Sequence, residues 1–415
     1  MSLLSSKHNL CTIPAALLIG ITFFFLVDNL TSEATPLGQT DNSILTKKKE
    51  EERILQLLRS RHFQQLDEYY LQLQQLYEEG NGLDDWQLLG KYQPFYNTSP
   101  ANEPLLTEWI TEFPKSYPAR LARGIYYRKV GEEKRGGEWV RKTPRENLNQ
   151  LSKYLDLATD DLLLSRSLAL KPIVSLVHLL NITKHRDGDL GNRYWLEEAN
   201  RIDPANFGAR RRYMLTLTPR WGGSYEEMHD FLRECRSQQI PAEHIRMFEA
   251  IIHSDMANML RHDRRPAEAF QHFRHALVLL NGIDNPDTID TIEALQGLIY
   301  AAQETNILER VTDDLDRYLS IMPHDVKILS YRGIVRERQG RFEEASADFT
   351  SAAMQGHAWS QFRIGQRLLF NSPSVTEKNQ QEGLTWVKKS AQQGYEPALK
   401  LLQQLGLGLD TSPQK

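Results

Sequence analysis

Cysteine is nearly missing from this chain of 415 residues, which contains only Cys11 and Cys235. Cys11 lies in an apolar N-terminal segment and Cys235 in the charged body of the chain, so we expect no disulfide between them. No Cys-x-x-Cys pair is present, which excludes a zinc ribbon and a thioredoxin-like redox site. The few cysteines are compatible with export into an oxidising compartment.

A surplus of one charge sign is also missing. The 50 basic and 54 acidic residues leave a formal net charge of −4. A general nucleic-acid-binding protein normally carries a basic excess or stripe, so we expect no nucleic-acid partner. Hydrophobic residues make up 40% and charged residues 25% of the chain, as in ordinary globular proteins, which is enough apolar material for a folded core.

The familiar catalytic motifs are absent as well. The sequence has no glycine-rich phosphate loop, no His-Glu-x-x-His and no Gly-x-Ser-x-Gly, the patterns of nucleotide-binding, zinc-dependent and serine-dependent enzymes. His272 and His275 stand three apart and could share a metal ion, but Phe273 and Ala276 indicate that this helix face packs against a neighbour. The sequence therefore predicts no enzyme, no cofactor and no metal site.

One long apolar segment stands out near the N-terminus. From Asn9 to Val27 no residue is charged, and its second half is almost wholly apolar. A helix of this length rises about 28 Å, close to the roughly 30 Å hydrocarbon thickness of a bilayer. We predict that residues 9–27 form a transmembrane helix or an uncleaved signal.

The flanking charges predict the orientation of this segment. Lys7 and His8 precede it, and Asp28 and Glu33 follow it. The positive-inside rule then leaves residues 1–8 in the cytoplasm and places the body outside. The alternative is secretion after cleavage near Ala34, where Ser32 and Ala34 form a small-x-small site.

The polarity of the rest of the chain, and the spacing of its apolar residues and prolines, divide it into several parts. Residues 28–46 are polar and predict a linker. Beyond residue 50 apolar residues recur at spacings of three and four, and most prolines stand between the apolar runs, which predicts helices of about 12 to 18 residues. The predicted parts are a helical domain at 50–245, tetratricopeptide-like helices at 246–325, tetratricopeptide plus Sel-one-like repeats at 326–408, and a tail at 409–415.

Two internal patterns support these repeats. Small and aromatic residues are spaced as in a tetratricopeptide repeat at Leu329, Gly333, Gly340, Phe342, Ala345, Phe349 and Ala352. Gly333 and Ala345 are expected to face each other, and Phe342 and Phe349 to fill the gap to the next hairpin. The run Ala352–Gly356 recurs 38 residues later as Ser390–Gly394, and this region resembles a Sel-one-like repeat. It departs from that family, which favours alanine, at Ser360, Gly383 and Ser390. The predicted fold is all-α, a right-handed superhelix of stacked antiparallel helical hairpins.

The segment from about Glu51 to Pro241 resembles a bacterial family known as domain of unknown function 4034. The resemblance depends on residues 63–80 and on the run Leu217–Ser224. The family supplies no activity that can be transferred. It implies a bacterial source, so the expected location is the inner membrane, single-pass, with the body in the periplasm.

The run Pro219–Ser224 (Pro-Arg-Trp-Gly-Gly-Ser) is the candidate recognition motif. One interpretation is structural, with Trp221 as a packing residue and a glycine turn before a helix capped by Ser224. The other is that Arg220, together with one of Arg210, Arg211 and Arg212, binds a carboxylate of a partner, because a guanidinium can bind a carboxylate with two hydrogen bonds. The candidate partner-binding residues are Arg210, Arg211, Arg220 and Trp221.

Together these features favour a membrane-tethered helical-repeat scaffold that binds a protein or peptide partner, since solenoids present extended surfaces without catalytic residues. The alternatives are a structural or immunity-like membrane protein, in which the anchor matters most, and an enzyme of unrecognised type. An enzyme would require titratable residues gathered in one cleft, which the sequence does not indicate.

Overall fold

The computed structural model describes residues 40–138, 142–185, 188–283, 289–370 and 376–408. Within these ranges all regular secondary structure is helical, which confirms the all-α prediction. The chain divides into two compact units, the first including residues 42–248 and the second residues 249–415. The predicted membrane segment 9–27 and the tail 409–415 lie outside the described residues.

Eleven helices begin in the first unit or at its edge. They are α1 Thr40–Arg59, α2 Phe63–Glu79, α3 Asp85–Lys91, α4 Asn102–Glu112, α5 Tyr117–Arg135, α6 Arg145–Arg166, α7 Ile173–Thr183, α8 Gly188–Ile202, α9 Gly208–Thr216, α10 Tyr225–Ser237 and α11 Ala242–His262. Short 3-10 turns occur at Gln93–Tyr96 and Pro219–Trp221. Helix α1 takes in residues 40–46, which the sequence pattern had assigned to the polar linker.

The second unit continues with shorter helices. They are α12 Pro266–Leu280, α13 Ile289–Glu304, α14 Thr312–Ile321, α15 Val326–Arg338, α16 Phe342–Met354, α17 Ala358–Phe370, α18 Glu377–Gln392 and α19 Glu396–Gln404. A 3-10 turn at Leu308–Val311 precedes α14. Among the residues with described positions, no helix is both long enough and apolar enough to cross a bilayer.

The core of the first unit contains a cluster of aromatic rings around Tyr70. The ring centroids of Tyr92, Phe95 and Trp109 lie 4.6, 5.5 and 6.5 Å from that of Tyr70. All four side chains are buried. Their large apolar area explains why the short helices α2 to α4 hold together, since segments of this length are marginal in water without tertiary packing.

Helices α5 and α6 form an antiparallel hairpin in which glycines permit close approach. A Cβ on Gly124 would lie 2.9 Å from Leu162 Cγ, and one on Gly131 would lie 3.0 Å from Tyr154 Cβ. Asp161 on α6 adds a buried ion-pair clamp, with contacts of 3.1 Å to Arg120 and 2.6 Å to Arg123 on α5.

The hairpin of α15 and α16 in the second unit has the same two features, a buried aspartate paired with two arginines and a closely packed glycine. Asp348 on α16, which is 4% exposed, accepts hydrogen bonds from Arg332 and Arg336 on α15 at 2.7 and 2.8 Å. Gly333 packs against the ring of Phe349, since an added Cβ would lie 2.4 Å from Phe349 Cε1. The hairpin is therefore present as predicted, and the Phe349 ring fills the space beside Gly333.

The two predicted gap-filling phenylalanines behave differently. Phe349 is 3% exposed, whereas Phe342 is 57% exposed. Phe342 is the first residue of α16, where the helix emerges from the Gly340 turn, so its side chain has few neighbours. The prediction that Phe342 plugs an inter-hairpin gap is wrong.

The repeat at Ala352 and Ser390 is visible in the turns that follow α16 and α18. Gly356 and Gly394 both have positive φ, 93° and 79°. The residue after each glycine donates its backbone N–H to the equivalent carbonyl, His357 to Ala352 at 3.0 Å and Tyr395 to Ser390 at 3.3 Å. The sequence repeat is thus a repeat of local structure.

The residues that depart from the Sel-one-like pattern have physical roles here. Ser390 Oγ donates to the Ala358 carbonyl at 2.7 Å, and Ser360 Oγ lies 2.8 Å from Ser330 Oγ. Both serines are fully buried, and these bonds satisfy hydroxyls that would otherwise be costly inside the protein. Gly383 allows α18 to approach α17, since its Cβ would lie 3.0 Å from the Gly365 carbonyl oxygen.

Candidate functional site

The Pro219–Ser224 run forms a tight turn between α9 and α10. Gly222 has φ of 93°, a conformation that side chains rarely adopt. Gly223 has no room for a side chain, because a Cβ would lie 2.3 Å from the Leu217 carbonyl oxygen. Ser224 caps α10, its Oγ accepting from Glu227 N at 3.2 Å and donating to the Glu227 carboxylate at 2.9 Å. The glycine turn and the Ser224 cap are thus present as predicted.

Arg210 and Arg211 point into the protein. They are 2% and 5% exposed. Arg210 donates to the Pro204 carbonyl at 2.8 Å and to Cys235 Sγ at 3.8 Å, and the Arg211 guanidinium lies 5.2 Å from the Trp86 ring centroid. Burial therefore places both guanidiniums against groups of the protein itself. The partner contact expected for Arg210 and Arg211 stays a prediction.

Arg220 and Trp221 are both partly exposed. The Arg220 guanidinium lies 5.9 Å from the Trp221 ring centroid, and Lys184 Nζ lies 4.8 Å from the same ring. The His185 ring meets Trp221 edge-on at 5.3 Å. Trp221 therefore connects the glycine turn to the residues that follow α7, and Arg220 stays a candidate contact residue.

Beneath this edge lies a group of buried polar side chains, which we call the α5–α7 cluster. Its members are Arg128, Lys129, Glu132, Arg135, His178, Asn181 and His185. On α5, Arg128 pairs with Glu132 at 2.5 Å and Lys129 with Glu132 at 3.6 Å. All four α5 residues are 9% exposed or less, which is rare for charged side chains.

Tyr96 joins the two helices of the cluster. Lys129 Nζ lies 4.3 Å and Arg128 Cζ 5.7 Å from the Tyr96 ring centroid. The His178 ring of α7 meets the same ring edge-on at 6.1 Å. His178, Asn181 and His185 are spaced by three and four residues, so they follow one stripe of α7 and the turn after it. This stripe faces the charged residues of α5.

The cluster has a positive electrostatic environment. Burial, and then the neighbouring Lys184, lower the pKa of His185 from its ordinary value to about 3. Burial alone would raise the pKa of Glu132, but Arg128 and Lys129 outweigh it and lower that pKa overall. At neutral pH the cluster thus holds a neutral imidazole and an ionised carboxylate among several cations.

The sequence did not predict this cluster, because the spacing of Arg128, Lys129 and Glu132 suits an exposed helix face as well as a buried one. A signal was present in α7. Its sequence is mainly apolar, and every residue from Ile173 to Thr183 is buried. A helix that is apolar all round lies inside the protein, so its two large polar residues, His178 and Asn181, had to be buried too.

The histidine pair considered as a metal site has a third neighbour from α11. His253 Nδ1 lies 3.0 Å from His272 Nδ1, and its ring centroid lies 4.3 Å from that of His275. Within the described part of the chain, no set of three or more histidine, cysteine, aspartate or glutamate side chains is arranged to hold a metal ion.

Comparison with known families identifies one segment. Residues 174–247 match the family described as Domain of unknown function (DUF4034). The match confirms the resemblance for the part that contains the Leu217–Ser224 run, and it also includes the α7 side of the α5–α7 cluster. No curated protein matches the chain.

Three solved structures show distant similarity. The apo form of the quorum sensor NprR from B. thuringiensis is 14% identical with a TM-score of 0.33, covering 82% of this chain and 98% of its own. A human IFIT1 dimer with m7Gppp-AAAA is 13% identical with a TM-score of 0.38, covering 95% of both chains.

The third is c5321, described as a protective antigen of uropathogenic Escherichia coli with an SLR fold. It is 13% identical with a TM-score of 0.30, covering 86% of this chain and 84% of its own. Scores this low carry no argument about fold or function, so the architecture rests on the helices and turns described above.

Proposed function

We propose that this protein is a membrane-tethered helical-repeat scaffold that holds a protein or peptide partner and catalyses no reaction itself. The observation that supports it is the packing order of the second unit. From α12 to α19 the extensive helix contacts join helices that are consecutive along the chain. Such nearest-neighbour stacking is characteristic of solenoids, which bind partners along an extended surface.

The proposal includes the anchor and the superhelix. The uncharged segment 9–27 tethers the chain to the inner membrane, with the body in the periplasm. The stacked hairpins wind as a right-handed superhelix. Release by cleavage near Ala34 is the alternative fate.

Arg220 is the proposed contact for an acidic group or C-terminal carboxylate of the partner, because its guanidinium is partly exposed beside Trp221. Arg220→Lys keeps the charge but loses the planar fork, so it should weaken binding, and Arg220→Ala should weaken it further. Trp221→Ala should chiefly lower stability, since its ring packs on His185. If Arg220→Ala reduces stability as Trp221→Ala does and leaves the affinity of the folded protein unchanged, this contact is excluded.

Crosslinking and pull-down from membranes tests the scaffold proposal. The intact chain should capture a defined partner, and a form without residues 1–30 should bind the same partner in solution. If binding disappears with the anchor, the protein is a structural membrane component and not a scaffold. Arg210→Lys serves as a control for Arg220→Lys, because Arg210 is buried and should affect stability but not the partner contact.

A further inference from the structure

Two polar side chains of the α5–α7 cluster have buried atoms without a hydrogen-bond partner in the described part of the chain. Asn181 is 1% exposed, and neither its side-chain oxygen nor its nitrogen has a hydrogen-bond partner among the described residues. The same holds for His185 Nε2, which is also buried. Buried polar atoms in native proteins are nearly always paired with protein, water or a ligand. These three atoms therefore point to something that binds beside them.

The charges around these atoms favour an anion. The cations Arg128, Lys129 and Lys184 all act to lower the pKa of Glu132. Arg135 adds a further buried guanidinium on the same side of α5. A singly charged anion suits this environment better than a doubly charged one, because the Glu132 carboxylate repels added negative charge.

The unpaired atoms indicate which class of anion the cluster would bind. The Asn181 amide nitrogen and a neutral imidazole N–H can both donate to the oxygens of one carboxylate. The Asn181 oxygen is an acceptor and needs a donor from the ligand. A carboxylate with a neighbouring hydroxyl or N–H group supplies both.

We propose that the α5–α7 cluster binds the carboxylate of a small hydroxy acid or of a peptide C-terminus, with Asn181 and His185 as its hydrogen-bonding residues. The partly exposed side chains of Lys184 and Trp221 lie at the edge of the cluster, where such a group would enter. The site adjoins the Arg220 contact of the scaffold proposal at Trp221, but its hydrogen-bonding residues are different, so it stands even if the protein partner does not exist.

Calorimetric titration of the full-length chain in detergent tests this site. The probes are lactate, propionate, inorganic phosphate, and a short peptide with a free or amidated C-terminus. Lactate or the free peptide should bind saturably and at least about tenfold more tightly than propionate or the amidated peptide, a factor equal to about 1.4 kcal/mol. Tighter binding of the peptide identifies a C-terminus as the natural ligand, and tighter binding of lactate identifies a free acid.

Variants connect the binding to the cluster. Asn181→Leu should abolish binding while keeping the fold, because it replaces an unpaired amide with an apolar group of similar size. Asn206→Leu is the matched control. Asn206 is equally buried but donates to Asn200 and to the Asp203 carbonyl, so its loss should lower the melting temperature and leave binding unchanged. His185→Ala should weaken binding without removing it.

Three results would overturn the proposal. They are no saturable binding by any probe, preferential binding of phosphate, and unchanged lactate or peptide binding in Asn181→Leu. In the first and third cases buried water would satisfy the unpaired atoms, and in the second case an inorganic anion would do so. The calorimetric result does not depend on whether pull-downs recover a protein partner. Failure of the scaffold proposal can therefore be distinguished from failure of this binding site.

Discussion

Replacing Gly333 with alanine tests the packing of α15 on α16. The added Cβ would lie 2.4 Å from Phe349 Cε1 and 2.7 Å from Cδ1, whereas carbon atoms in contact prefer about 3.5–4.0 Å. The Phe349 ring is 3% exposed and meets Trp359 edge-on with centroids 5.4 Å apart. The ring therefore has little room to retreat.

Overpacking and helix propensity act in opposite directions on the free energy of unfolding of Gly333→Ala. Overpacking a core lowers the free energy of unfolding by about 1–3 kcal/mol. Alanine in place of glycine within a helix raises it by about 0.8–1.0 kcal/mol. The expected net loss is thus at most about 2 kcal/mol. A double-mutant cycle separates the terms. In a Phe349→Leu background, which removes the ring, Gly333→Ala should be neutral or stabilising.

Hydrogen exchange of the α15 and α16 amides in the full chain is the assay. A local readout is needed because the chain has two compact units, and global unfolding of such chains is often not two-state. Gly297→Ala offers an independent replicate, since its Cβ would lie 2.2 Å from Phe273 Cζ. The reasoning fails if Gly333→Ala has the same effect in both backgrounds.

Three further outcomes are expected. Asp161→Ala should destabilise the first unit by about 3–5 kcal/mol, because it leaves two partly buried arginines without their carboxylate; a change near zero in urea unfolding would exclude the clamp. Stability should fall as the pH is lowered from 6.5 towards about 3, since the unfolded chain binds a proton that folded His185 does not, and His185→Asn should flatten that slope. A reporter active only outside the cytoplasm, fused after Lys415, should be active, whereas activity of a cytoplasm-only reporter there would refute the topology.

The helical architecture could be predicted because its signals are local. Apolar spacings of three and four and prolines between them gave the all-α class, and the Ala352 and Ser390 repeat predicted matching turns. The contact of Gly333 could not be predicted in the same way. Which side chain of α16 lies nearest to it depends on the offset between the two helices, which residue spacing within each helix does not determine.

The candidate site was harder to predict because burial of charge depends on tertiary partners. Arg210 can be buried because the Pro204 carbonyl accepts its hydrogen bond. Arg128 can be buried because Glu132 pairs with it one helical turn away and its guanidinium lies over the Tyr96 ring. Among these pairs, only the spacing of Arg128 and Glu132 is readable from the sequence, and it suits an exposed helix equally well. Asn181 within an apolar helix was the one local sign of a buried polar site.

The most direct test of the scaffold account is a hydrogen-exchange footprint of the full-length chain with the partner recovered by crosslinking. We expect protection of the Pro219–Trp221 turn and of several consecutive hairpins among α12 to α19, with the partner released chemically unchanged. Protection confined to one cleft, together with conversion of the partner to a product, would contradict the account and identify the protein as an enzyme.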